Sequence, residues 1–71
     1  MGQFESRELG KNIRCLREDK DMMQKDLAKK CGISAMALSY IERGMRSPSL
    51  TTLAAISKAL DCPMDKLLKT G

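Results

Sequence analysis

The sequence predicts an all-α domain of five short helices. Three features carry that expectation. Apolar residues recur at spacings of three and four rather than two, which is the helical period. Breakers are sparse, with two prolines and five glycines, and most of them fall between the periodic segments. The chain has 71 residues, of which 42% are apolar. That suits one globular core rather than a disordered chain, and at about 100–200 residues per domain there is room for one domain only. A single domain over residues 1–71 is expected, with its core in about residues 7–69.

Helix 1 is expected from about Arg7 to Lys20, with Leu9, Ile13 and Leu16 as its apolar stripe. Ser6 is a candidate N-cap, and Glu8 complements the positive end of the helix dipole. Gly10 interrupts this helix at a cost of up to ~1 kcal/mol against Ala, so either something packs closely there or the helix frays. Helix 2 spans about Gln24 to Cys31, with Leu27, Ala28 and Cys31 inward, and Gly32 ends it. Met23 offers no capping oxygen to helix 2, and Asp26 is left to complement its start. Ser34 caps helix 3, about Ala35 to Arg43, with Leu38 and Ile41 inward and Gly44 beyond. Ser49 caps helix 4, about Leu50 to Leu60, whose stripe is Leu50, Leu53, Ile56, Ser57 and Leu60. Asp61-Cys62-Pro63 then breaks the chain. Pro63 opens a short helix 5, about Met64 to Lys69, because its missing N–H would have no partner there anyway.

Composition argues against several classes of function. The chain has no His, so the commonest general base at neutral pH is missing. It contains neither a G-x-G-x-x-G loop nor a G-x-S-x-G elbow. A chain this short also has little volume for a substrate cavity, and no enzymatic activity is expected. Cys15, Cys31 and Cys62 are odd in number, include no C-x-x-C and have no His to complete a site, so no metal and no cofactor is expected. They read as free thiols in a reducing compartment, with Cys31 and Cys62 in the core and Cys15 on the outer side of helix 1. No apolar run approaches the ~18–20 residues of a membrane span. The start of the chain lacks the basic and apolar stretches of a signal peptide. A cytoplasmic protein without membrane contact is the expectation.

The informative segment is Gln24 to Arg43, QKDLAKKCGISAMALSYIER. Two helices of about eight residues meet there at a tight turn. Ala28 must be small where they cross, Gly32 must allow positive φ, and Ile33, Leu38 and Ile41 must be apolar to lock the second helix down. All three demands are met at the spacing of a helix-turn-helix. Charge agrees: residues 1–23 sum to zero, residues 24–46 hold five positive and two negative charges, and residues 47–71 add one net positive charge. A positive segment of this kind attracts polyphosphate.

With "LGKNIRCLRE", "QKDLAKKCGIS", "LSYIERGMRSPSLTTL" and "KALDCPMDKLL" in this order, the chain resembles the phage-repressor, Cro-type (xenobiotic-response-element-like) helix-turn-helix family from Leu9 to Leu68. The resemblance implies a five-helix, lambda-repressor-like DNA-binding domain with its helix-turn-helix at helices 2 and 3. Helix 3 would enter the major groove of double-stranded DNA. The family's base-contacting positions fall on Gln24, Ser34, Ala35, Met36, Ser39 and Tyr40. Its phosphate-contacting positions fall on Gln24, Arg43 and Arg46, with Lys25 in the same basic segment. The resemblance also implies a structural pair between Arg17 and Glu42. Many members carry Arg, Gln, Asn or Lys where this chain has Ala35 and Met36. Those two cannot make bidentate bonds to base edges, but they can touch thymine methyl groups, so readout would lean on methyl contacts and DNA shape.

A sequence-specific transcriptional regulator follows, a repressor that occupies a palindromic operator as a homodimer. Helix 5, through Met64, Leu67 and Leu68, is the candidate dimer surface; the same residues could equally close the monomer core. A rival reading is a protein-interaction module, antirepressor-like or antitoxin-like, that keeps the fold and presents the apolar Ala35–Met36 face to a protein partner.

Overall fold

A computed structural model describes residues 6–68. It contains five helices in the expected order: α1 Ser6–Asp19, α2 Gln24–Cys31, α3 Ala35–Glu42, α4 Leu50–Ala59 and α5 Met64–Leu67. The bounds of α2 agree with expectation at both ends. Helices α3 and α4 each stop one residue earlier, because Arg43 and Leu60 act as C-caps. α5 is a single turn; Lys69, expected at its end, lies outside the described residues. No helix among the described residues is long and apolar enough to cross a membrane.

The apolar stripes converge on one core. Leu9 and Ile13 of α1, Leu27 and Ala28 of α2, Leu38 and Ile41 of α3, and Leu53 and Ile56 of α4 are buried together with Leu60, Cys62 and Leu67. Leu16, Cys31 and Ile33 pack against this cluster half-buried. Three expectations need correction. Leu50 is 73% exposed. It is the first residue of α4, and helical side chains lean back toward the N-terminus, which carries Leu50 away from the core. Leu67 is 0% exposed, so it closes the monomer core and cannot belong to a dimer surface; Met64 and Leu68 are half-buried against the same cluster. Ser6 lies within α1, and its hydroxyl pairs with that of Ser47 at 2.6 Å, tying the first turn of α1 to the loop after α3.

Helices α1 to α4 all end in one way. A residue of positive φ follows each, and the next amide donates back to the helix: Met22 to Arg17, Ile33 to Ala28, Met45 to Tyr40 and Cys62 to Ser57. This is the Schellman arrangement. Gly32 and Gly44 fill the left-handed position after α2 and α3, and Asp21 and Asp61 fill it after α1 and α4.

Two glycines are required by close approach. A Cβ on Gly10 would strike the carbonyl oxygens of Ile41 and Glu42. The interruption in α1 therefore marks where this helix seats on the last turn of α3. A Cβ on Gly44 would come within 2.8 Å of Arg7 Cα, so the chain leaving α3 runs directly against the start of α1.

Candidate nucleic-acid interface

The tight turn between α2 and α3 is built as its residue types require. Gly32 has φ of 72° and Ala28 is buried beneath the crossing. Ser34 Oγ accepts the Ala37 amide at 3.0 Å and caps α3. The cap on α2 comes from the other direction: Met23 contributes none, and Asp26 Oδ2 accepts the Met23 amide at 3.1 Å.

Behind α3 lies a buried ionic knot. Arg17 Nε donates to Glu42 Oε2 at 2.7 Å and Arg17 Nη2 to Oε1 at 3.1 Å, a bidentate pair. Arg17 Nη1 donates to the Met22 carbonyl at 2.7 Å. Gln24 Nε2 donates to Glu42 Oε1 at 3.0 Å. Arg17 is 8% exposed and Glu42 6%. The bond to Glu42 raises the Arg17 pKa above its ordinary value, outweighing the opposing effect of burial. No buried side-chain nitrogen or oxygen among the described residues lacks a partner. The knot joins α1, the start of α2 and the end of α3, and so fixes the orientation of α3.

The candidate contact residues divide by position. Ala35 and Met36 occupy the first turn of α3 in the open, Met36 being 67% exposed. Ser34 is exposed too, with its hydroxyl proton available beyond the capping bond. Ser39 and Tyr40 are half-buried farther along α3. Lys25, Arg43 and Arg46 are exposed. Gln24 is committed to Glu42 through one amide hydrogen, which leaves its second amide hydrogen and its carbonyl for a ligand.

One participant was missed from sequence. A polar groove of about 310 Å³ runs between α1, α2 and α3, lined by Arg14, Arg17, Glu18, Gln24, Ser39, Glu42 and Arg43. Arg14 reaches it from α1, where it also pairs with Glu18 at 3.3 Å. Its signal was present as the same face, one turn before Glu18 and three residues before Arg17, but residues 1–23 sum to zero charge and drew no attention. Across the groove, the Arg43 guanidinium lies over the Tyr40 ring, 5.3 Å from its centroid.

Two short helices joined by a tight turn at Gly32, the second capped by Ser34 and tied at its end by an ionic knot, define a helix-turn-helix domain. A helix-turn-helix family model matches residues 13–67. An HTH-type transcriptional regulator of Mycobacterium bovis is 46% identical over 54 residues, which make up 76% of this chain and 21% of that protein. The repressor protein C2 of Salmonella phage P22 is 41% identical over 61 residues, or 86% of this chain and 28% of that protein. The crystal structure of the P22 c2 repressor bound to a synthetic operator superposes with a TM-score of 0.83 over 86% of this chain and 92% of that one. SinR in complex with DNA, described as the master regulator for biofilm formation, is 34% identical with a TM-score of 0.81, over 86% of this chain and 98% of that one. The chain belongs to the phage-repressor type of helix-turn-helix family and carries its DNA-binding fold. It spans about a fifth of the length of the Mycobacterium bovis regulator.

Proposed function

We propose that this chain is a sequence-specific, double-stranded-DNA-binding transcriptional regulator that acts as a repressor in the cytoplasm, without a cofactor. The observation that carries the reading is the first turn of α3. Ala35 and Met36 stand open there, the Ser34 hydroxyl caps the turn, and the Arg17–Glu42–Gln24 knot fixes the far end of the same helix, where Arg43 is exposed; Lys25 and Arg46 are exposed as well. Likeness to the P22 c2 repressor solved on an operator, and to the regulator SinR solved on DNA, supports it.

In this reading α3 lies in the major groove. Ala35 and Met36 meet thymine methyl groups, while Ser34 and Ser39 bond base edges or sugar-phosphate oxygens. Lys25, Arg43, Arg46 and the free amide hydrogen of Gln24 hold phosphates. Two copies on a palindrome would place their α3 helices about one helical turn apart. With Leu67 sealed in the core, any dimer contact must come from residues other than that leucine.

Selection of duplexes from a random library at moderate salt tests the reading. Recovery of an inverted repeat supports a dimeric sequence reader, and the enriched bases test the roles of Ala35 and Met36. Met36 and Met45, 67% and 68% exposed, are the observation that favours the protein-interaction alternative. Absence of any duplex binding, at low salt as well, would decide for that alternative, since contacts to phosphate weaken steeply only as salt rises.

A further inference from the structure

Arg43 is exposed at the end of α3, and among the described residues the ion pairs are Arg14–Glu18 and Arg17–Glu42, neither of which uses it. Its acidic neighbour Glu42 is already occupied by Arg17 and Gln24. What touches its guanidinium is the face of Tyr40, at 5.3 Å from the ring centroid, within the reach of a cation–π contact. Tyr40 is half-buried and three residues back on the same helix. The ring is therefore held by the fold, and the guanidinium is held by the ring.

We propose that Tyr40 is a positioning residue: its ring holds Arg43 at the lip of the α1–α3 groove, where Arg43 and Arg14 together clamp one backbone phosphate of a duplex. The inference rests on the duplex-binding reading above and changes what Tyr40 does within it, from contacting a base to setting an arginine. Arg43 and Arg14 line the same groove from different helices, and Ser39 and Gln24 line it too. A planar guanidinium stacked on a ring is pre-organised to bond an oxyanion. The tyrosine hydroxyl has no part in this arrangement.

The test compares the parent chain with Tyr40→Leu, Tyr40→Phe and Arg14→Ala. The probes are several fluorescein-labelled duplexes of unrelated sequence, each read by anisotropy across a salt series. Tyr40→Leu is expected to weaken binding about 2- to 5-fold, by the same factor for every sequence. Tyr40→Phe is expected to recover that loss. Arg14→Ala should weaken binding to every sequence and lower the slope of log K against log salt by less than the ~0.9 of a whole phosphate contact, because Arg43 stays on the shared phosphate. A readout that needs no DNA accompanies these: ring-current displacement of the Arg43 δ protons in the NMR spectrum, present in the parent and in Tyr40→Phe and lost in Tyr40→Leu. Tyr40→Leu binding random duplex as well as the parent overturns the proposal. So does loss in Tyr40→Phe equal to that in Tyr40→Leu, or a change confined to base preference. If the parent binds no duplex at all, the DNA reading and the clamp fail together, while the ring-current shift still decides whether the stack exists.

Discussion

Replacing Arg17 by Met should unfold much of this protein's margin of stability. The Glu42 carboxylate is 6% exposed and accepts two bonds from Arg17 and one from Gln24. Without Arg17 it keeps only the Gln24 bond and stays buried as an anion. Breaking one partner of such a pair costs about 3–5 kcal/mol. A domain of this size has about 4–10 kcal/mol in total, so the variant should lose about a third or more of its stability. Glu42→Leu should cost a comparable amount, because it strands the guanidinium with the Met22 carbonyl alone. The double variant Arg17→Met/Glu42→Leu removes both charges and fills the space with apolar atoms, and it should be more stable than either single variant. Urea titrations followed by circular dichroism at 10 °C supply the four free energies of the cycle. The reasoning is refuted if Arg17→Met costs under about 1 kcal/mol, the scale of a surface pair, or if the two single costs simply add in the double variant.

Gly10→Ala should destabilise by about 1–3 kcal/mol despite the better helix propensity of Ala, since its Cβ meets backbone at Ile41 and Glu42; an unchanged thermal midpoint would show that α1 is free to shift. Asp61→Gly relieves a left-handed residue at φ 52° and should stabilise by a few tenths to about 1 kcal/mol, readable as a higher urea midpoint. Arg43→Ala and Arg46→Ala should each weaken binding to all duplexes alike and flatten the salt dependence, Arg46→Ala by about 0.9 in slope and Arg43→Ala by less, since Arg14 stays on the shared phosphate; a loss restricted to one sequence would assign them to base reading. Burial pushes the Cys31 thiol up from its ordinary 9.0. Its contribution to stability is thus present below pH 9 and lost as pH rises through the folded-state value. Cys31→Ala should lose less stability than the parent between pH 8 and pH 10.5, and iodoacetamide should label exposed Cys15 before Cys31.

Local signals were enough for much of this fold. The bounds of α2 follow from a turn glycine and an apolar spacing, and the caps of α3 and α4 follow from Ser34 and Ser49, which accept the amides of Ala37 and Thr52. What failed was what depends on direction in space. Leu50 continues an apolar period yet begins a helix and leans off its end, and for Leu67 the period left surface and core equally open until the structure put it in the core. The interface divides the same way. Ala35, Met36, Arg43 and Arg46 are exposed as their positions in the motif imply. Gln24's bond to Glu42, Arg14's place on the groove and Arg43's seat on Tyr40 arise only when three helices are brought together.

The division of labour along α3 has a consequence for how such a domain changes over time. Gly10, Arg17, Gln24 and Glu42 all act on the rear of the helix, and its front turn is held up by a hydroxyl at Ser34 that belongs to the turn before it. Ala35 and Met36 carry no share of the fold's support and stand exposed. Substitutions there are released from the stability threshold that constrains most positions. The domain can be retargeted by exchanging two adjacent side chains while the scaffold that aims them stays intact.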